Sequence, residues 1–164
     1  MKQKVFVAAL ALALIVGAAS VAFGTPPGNT ITTQGSESFQ PNAFIQASFN
    51  FSPGVVDVKS GGRLKLVYGN KGSDPHTLSF VDQDELPTTV GQVFNCKVCN
   101  QTLNNMDGHK RLPGPDGGLN QWGDSLFLFP GQTTSVKITA PPGATLCFLC
   151  AIHPWMQGTI YVTR

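Results

Sequence analysis

Short runs of alternating apolar and polar residues, separated by turn-forming residues, make up most of the chain after residue 40. The runs are "AFIQASFNF", "VVDV", "RLKLVYGN", "HTLSFV", "SLFLF", "TTSVKIT", "TLCFLC" and "GTIYVT". Such alternation predicts strands, because successive side chains of a strand face opposite sides of the sheet. No stretch of useful length has helical periodicity. The pattern therefore predicts an all-β domain, an antiparallel sandwich or barrel.

Two regions depart from this strand pattern. Residues 25–40 are polar and contain proline, glycine and serine, so we expect a linker before a domain that spans residues 41–164. Residues 82–124 form a long irregular tract inside that domain, an inserted loop region. A tract of this length within a compact domain is usually functional or partly helical.

Residues 1–24 have the features of an export signal. A positively charged start, Met1 to Lys4, precedes an unbroken apolar run, and small residues follow at two candidate cleavage sites, after Ser20 and after Gly24. The alternative is an uncleaved membrane anchor, since the apolar stretch approaches the length that spans a bilayer. In either case we expect the domain to work outside the cytoplasm, where disulfides persist.

Composition narrows the function classes. The chain has 164 residues, 12% of them charged, and a formal net charge of +2. This length suits one domain with a sizeable core, and the weak charge does not favour a nucleic-acid partner. Only three histidines and four cysteines are present.

The cysteines form two Cys-x-x-Cys pairs, Cys96/Cys99 and Cys147/Cys150, which suggest a structural zinc site. Strand geometry argues against it, because residues three apart on an extended "TLCFLC" face opposite sides. A c-type haem would need a histidine directly after a pair, and none follows. A thioredoxin-like site would place the pair at a helix start, and the residues after Cys150 do not favour a helix.

A copper site explains the end of the chain better. Cys150 closes a predicted strand, and His153 and Met156 follow at three-residue intervals in a loop that is able to bend back. His76 starts another predicted strand in "DPHTLSF". A thiolate, two imidazoles and a thioether are the ligands of a copper ion that cycles between two oxidation states. Each residue alone is commonplace in a core or on a surface, but their joint arrangement predicts one copper ion bound by all four.

The segment "LFPGQTTSVKITAPPGATLCFLCAIHPWMQGTIYV" resembles the closing segment of the blue (type 1) copper proteins, the cupredoxins, of the plastocyanin and azurin family. The short Cys-x-x-His-x-x-Met spacing is most similar to the amicyanin type. The resemblance covers residues 53–81 and 125–164 and does not extend to the tract between them. It implies a Greek-key β-sandwich, with His76, Cys150 and His153 as in-plane ligands and Met156 as the long axial ligand.

The resemblance also implies how the site is supported and used. The second ring nitrogen of His76 should bond to backbone, and the ring edge of His153 should be exposed as the electron port. Redox protein partners would dock on the apolar surface around His153, Pro154 and Trp155. Family members often have asparagine after the first histidine, whereas Thr77 stands here, and its hydroxyl could link the two ligand segments. Protonation of His153 in the Cu(I) state would switch off transfer at low pH.

Three cysteines remain once Cys150 binds copper. A Cys96–Cys99 disulfide is the first expectation, because the compartment permits it. A disulfide from Cys147 to either of these two, and a second metal site built from the three cysteines and His109, are the alternatives.

The leading hypothesis is thus an exported, non-enzymatic one-electron carrier between redox partners. The histidine count argues against a multicopper oxidase, whose trinuclear cluster needs many histidines, whereas this chain has three. The alternatives are a copper-trafficking protein that hands over the ion and a sandwich held by structural disulfides.

Overall fold

A computed structural model describes residues 28–104 and 117–164 of the chain. The strands of this part form two five-stranded sheets and a separate two-stranded hairpin. The strands are β1 (Thr30–Gln34), β2 (Glu37–Gln40), β3 (Phe44–Ala47), β4 (Asn50–Ser52), β5 (Val55–Lys59), β6 (Arg63–Tyr68), β7 (His76–Val81), β8 (Gly118–Leu119), β9 (Ser125–Leu128), β10 (Thr133–Ile138), β11 (Thr145–Leu149) and β12 (Gln157–Thr163).

The two sheets pack face to face as the predicted β-sandwich. The first has the strand order β4-β1-β6-β10-β8 and the second β5-β12-β11-β7-β9, while β2 and β3 form the hairpin. Most pairs are antiparallel, but β1 with β6, β12 with β5, and β10 with β8 are parallel. The fold class is confirmed, with these three parallel pairs as a departure from a fully antiparallel arrangement.

The core lies between the sheets and follows from the strand alternation. Leu64 and Leu66 of β6 face Leu78 and Phe80 of β7 across the interior, and each is no more than 2% exposed. Every residue of β7 is buried, because the chain also covers the outer face of the second sheet. Apolar burial on this scale stabilises a sandwich by roughly 25 cal/mol per Å² removed from water.

The predicted linker is corrected for residues 30–40. Strand β1 lies inside the first sheet, where it pairs with both β4 and β6, and Ile31 and Thr33 are fully buried. The segment "TITTQ" contains one large apolar residue, so its hydrophobic pattern is weak. Its β-branched threonines nevertheless favour a strand. The candidate export segment, residues 1–24, lies outside the described residues.

The insertion, residues 82–124, is partly helical where the structure describes it. It contains a 3-10 turn at Gln83–Glu85 and two helices, α1 (Val90–Phe94) and α2 (Lys97–Asn104), before the short strand β8. Thr89 caps α1, accepting the backbone N–H of Gln92, whose side chain reaches back to the cap. None of the helices within the described ranges has the length and apolar character needed to cross a bilayer.

Helix α2 covers the outer face of the second sheet. Val98 and Cys99 of α2, with Cys96 just before it, form a small buried cluster with Val81 of β7 and Leu149 of β11. We call these residues, together with Ala151, the outer cluster. The insertion therefore rests directly on the strand that leads into the predicted ligand loop.

Candidate metal centre

Two strand ends bring the predicted ligands together. His76 begins β7, and Cys150 follows the last residue of β11. Because β7 and β11 are antiparallel neighbours, the start of one lies at the same end of the sandwich as the finish of the other. Strand parity places Phe148 and Cys150 in the main core, whereas Leu149 lies in the outer cluster.

The loop after Cys150 is folded by its own backbone hydrogen bonds. The N–H of His153 donates to the carbonyl of Cys150 (3.1 Å), and the N–H of Met156 donates to the carbonyl of His153 (2.8 Å). The N–H of Cys150 in turn donates to the carbonyl of Met156 (2.9 Å), which closes the loop. These bonds explain the three-residue spacing, since each one holds a candidate ligand at a fixed point of the turn.

Three donor atoms form a compact triangle. The Nδ1 atoms of His76 and His153 are 3.2 Å apart, and the Sγ of Cys150 lies 3.9 Å from the first and 3.6 Å from the second. A triangle with these edges has a circumradius of about 2.1 Å. Nitrogen and sulfur ligands bind first-row metals at roughly 2.0–2.3 Å. A single ion thus fits between all three atoms.

The site is fully enclosed. His76 and Cys150 are 0% exposed, Met156 is 1% exposed and His153 is 8% exposed. Met156 belongs to the same core cluster as Cys150. Among the described residues, His76, Cys150 and His153 are the one group of three cysteine, histidine or acidic side chains arranged to hold a metal ion. The structure therefore groups all four predicted ligands in one buried region.

Burial keeps both histidines neutral, the form that binds a metal. Desolvation, together with the neighbouring His153, lowers the pKa of His76 to about 4, while Asp74 opposes the shift. Burial likewise lowers the pKa of His153, while the negative charge of Asp74 raises it. The predicted low-pH release of His153 stays a prediction, and its burial moves any such switch toward more acid pH.

The environment of the Cys150 thiol has two opposing effects. Burial raises its pKa, whereas N–H groups of the surrounding backbone, first that of Thr77, lower it. The Thr77 N–H lies 3.3 Å from Sγ and donates to it. Such donors stabilise a thiolate once a metal displaces the proton. Without a metal, the buried thiol keeps its proton.

Thr77 also links the two ligand segments, as its position after His76 suggested. Its hydroxyl oxygen accepts the N–H of Ala151 at 2.7 Å and lies 3.1 Å from the hydroxyl of Ser79. Ala151 directly follows Cys150, so one threonine binds the ligand loop through both its backbone and its side chain.

One expectation for the histidines is wrong. The Nε2 of His76 is buried and has no hydrogen-bond partner, instead of bonding to backbone. His153 is 8% exposed, and Phe49 and Trp155 pack on its ring with centroids 4.8 and 5.3 Å away, so its ring edge as the electron port stays a prediction. Pro154 is buried, and Trp155, 41% exposed, reaches the surface beside it.

Phe49 is a site residue that the sequence did not single out. It is 2% exposed and packs against His76 as well as His153, with ring centroids 5.2 Å apart in the first case. Its carbonyl accepts the indole N–H of Trp155 at 3.1 Å. The strand run "AFIQASFNF" contains no sign of this role, because only the tertiary fold brings the segment over the ligands.

The remaining cysteines are also placed. Cys96 and Cys99 form a disulfide, as first expected. Cys147 is a free, buried thiol, so the alternative disulfides from Cys147 are wrong. It lies on β11 three residues before Cys150, and strand parity turns the two side chains to opposite faces. A second metal site on these three cysteines is excluded as well, since two of them are bonded to each other. His109 lies outside the described residues.

Fold and site together resemble those of the cupredoxins. The described chain is a two-sheet β-sandwich, and its paired strand ends group two histidines, a cysteine and a methionine, a donor set that fits one copper ion. No family model and no curated protein match the chain.

Solved structures with the same class of fold are distant in sequence. A purple cupredoxin from Nitrosopumilus maritimus is 14% identical, with a TM-score of 0.45, over 82% of this chain and 99% of that chain. Dithionite-reduced auracyanin from Roseiflexus castenholzii is 19% identical (TM-score 0.47, 84% and 98% covered), and a variant of amicyanin is 14% identical (0.41, 82% and 81%). Such similarities do not assign a function, which therefore rests on the chemistry of the site.

Proposed function

We propose that the protein is an exported type 1 copper protein that carries single electrons between redox partners. The observation that supports this most is the triangle formed by the Nδ1 atoms of His76 and His153 and the Sγ of Cys150. Met156 would complete the site as a weak axial ligand. Copper bound there would supply one-electron oxidation and reduction.

The enclosure of the site suits electron transfer. A carrier has to accept and release an electron without rearranging its ligands, and here each ligand is held by packing or by backbone hydrogen bonds. Thr77 fixes both ligand segments relative to each other, and Phe49 covers the two imidazole rings. Groups that support ligands from outside in this way tune a metal site and restrict access of water.

Trp155 is the proposed point of electron entry and exit. It packs against the ring of His153 and is 41% exposed, whereas His153 is 8% exposed. Beside Trp155, an open groove of about 570 Å³ is lined by apolar side chains of the β2–β3 hairpin and of α1. Its most exposed large apolar members are Ile45, Val90 and Phe94, at 78%, 72% and 83%. We expect redox proteins with an apolar face to dock on this groove.

The trafficking alternative loses its main support. The thiols of the insertion would suit transfer of the ion, but Cys96 and Cys99 are joined in a disulfide. None of the four candidate ligands is more than 8% exposed, which restricts the approach of a competing ligand.

The test is copper retention. The purified chain, loaded with one equivalent of copper, should keep it through repeated chemical oxidation and reduction in the presence of a thiol chelator. Loss of the metal to the chelator within a few cycles would instead indicate trafficking.

A further inference from the structure

The disulfide between Cys96 and Cys99 has no part in the proposed copper chemistry. Cys96 immediately precedes helix α2, and Cys99 lies in the first turn of that helix. Cys96 and Cys99 are thus a Cys-x-x-Cys pair at the start of a helix. The sequence pattern did not predict a helix at either Cys-x-x-Cys pair. The eight residues of α2 are preceded by a short loop after α1.

A purely structural role explains this disulfide poorly. Cross-links stabilise mainly by restricting the unfolded chain, and the effect grows with the length of the closed loop. A bond between residues three apart closes one of the shortest loops possible. Helix α2 is already attached through Val98 and Leu103, which pack in the outer cluster.

Access to the two sulfurs is unequal. Cys96 lines two clefts, of about 410 and about 270 Å³, whereas Cys99 lines only the smaller one. The exposed fraction is 8% for Cys96 and 2% for Cys99. We therefore expect an incoming thiolate to approach Cys96 more easily than Cys99.

The positive charges near the disulfide favour a thiolate at Cys96. The backbone N–H of Cys99 lies 3.3 Å from the Sγ of Cys96 and donates to it. This N–H belongs to the first turn of a helix, where amides lack partners within the helix and carry partial positive charge. Lys97 adds a full positive charge next to it in the chain. Both features stabilise a thiolate at Cys96 after the disulfide opens.

We propose that Cys96–Cys99 is a thiol–disulfide exchange site for a dithiol protein. The partner's thiolate attacks the Sγ of Cys96, the Cys96–Cys99 bond breaks, and Cys99 leaves as a thiolate. The partner's second thiol then displaces Cys96 and closes the partner's own disulfide. Two electrons and two protons pass from the partner to the pair, and no other reactant is needed.

The exchange site adjoins the copper ligand loop. Ala151, Ile152, Pro154 and Trp155 line the smaller cleft together with both cysteines. A partner bound there would contact the loop that follows Cys150. The chain would then have two separate redox sites beside one surface. The copper site would transfer single electrons, and the disulfide would transfer electron pairs.

The first test uses the metal-free full-length chain under native conditions. It is incubated with excess reduced glutathione, a monothiol probe of the same reaction, then alkylated and mapped by mass spectrometry. We expect glutathione to open the pair, so that Cys96 and Cys99 are alkylated together in most molecules. A structural disulfide would instead resist reduction by glutathione. A pair that stays closed until the chain is denatured would overturn the proposal.

Matched variants test the direction of attack. Cys99→Ser leaves Cys96 as a free thiol, and Cys96→Ser leaves Cys99, while all other thiols are the same in both chains. We expect Cys96 in the first variant to react with an aromatic disulfide reagent at least about tenfold faster than Cys99 in the second. Equal rates, or a faster Cys99, would contradict the assigned roles even if both variants fold less stably.

Discussion

The hydroxyl of Thr77 accepts the backbone N–H of Ala151 at 2.7 Å, while the N–H of Thr77 donates to the Sγ of Cys150. These two bonds join the start of β7 to the ligand loop after β11. Thr77 is 73 residues from Cys150 and 74 residues from Ala151 in the chain. Thr77 thus joins the two groups of ligands through one backbone and one side-chain bond, beside the pairing of β7 with β11.

Replacing Thr77 with valine should lower stability. Valine keeps the shape but leaves the N–H of Ala151 buried without an acceptor, which costs roughly 1–3 kcal/mol. Denaturant unfolding of the metal-free chain measures the loss. Thr77→Ser, which retains the hydroxyl, should lose clearly less, and equal losses in the two variants would show that the hydroxyl bond contributes nothing.

The stability of the metal-free chain should fall with acid in a defined window. His76 has a pKa of about 4 in the folded protein, against an ordinary value of 6.5 for histidine. Between these two values the unfolded chain binds more protons than the native one, so stability decreases as pH drops from about 6.5 toward 4. Unfolding free energies measured across this range test it. His76→Gln should flatten the slope, and an unchanged slope would contradict the shift.

Copper binding at neutral pH should release about one proton per ion. Burial lowers the pKa of both histidines and raises that of Cys150, so the metal-free site has two neutral imidazoles and one protonated thiol. Calorimetric titration with Cu(II) in buffers of different ionisation enthalpy counts the protons. Release of none would mean that Cys150 does not bind as a thiolate.

Electron exchange should depend on the apolar groove beside Trp155. Self-exchange between Cu(I) and Cu(II) copies requires two such surfaces to meet, and nuclear magnetic resonance line broadening measures its rate. Phe94→Lys places like charges in that contact and should slow self-exchange about tenfold, which corresponds to about 1.4 kcal/mol.

Tyr161→Lys is the matched control for this prediction. Tyr161 is a comparably exposed aromatic residue, 48% exposed, on β12 and does not line the groove. Its substitution should leave the self-exchange rate unchanged at the same ionic strength. Equal slowing by both variants would show that added charge anywhere on the surface, rather than at the groove, controls the encounter.

Much of the fold was predictable because strand alternation is a local property of the sequence. The runs around Leu64, Leu78 and Phe148 became strands in the places expected. The Cys-x-x-His-x-x-Met spacing predicted a loop, and the structure brings its Cys150 and His153 to His76. Strand β1 was missed because "TITTQ" has a single large apolar residue, Ile31, and its burial depends on neighbours distant in the chain.

The surroundings of the ligands could not be predicted from local patterns. His153 is covered by Phe49 from one side and Trp155 from the other, and no periodicity relates the three. Helix α1 did carry a local signal, since Thr89 and Gln92 have the spacing of a capping box. Its five residues are too few to show helical periodicity, so a search for capping residues would have been needed to find it.

The visible absorption spectrum of the purified chain with one equivalent of Cu(II) tests the copper site most directly. An intense thiolate-to-copper band is expected, which Cys150→Ser abolishes and Cys147→Ser, at a free buried thiol facing the other way, leaves in place. A spectrum without that band, or a band that survives in Cys150→Ser, would contradict the account.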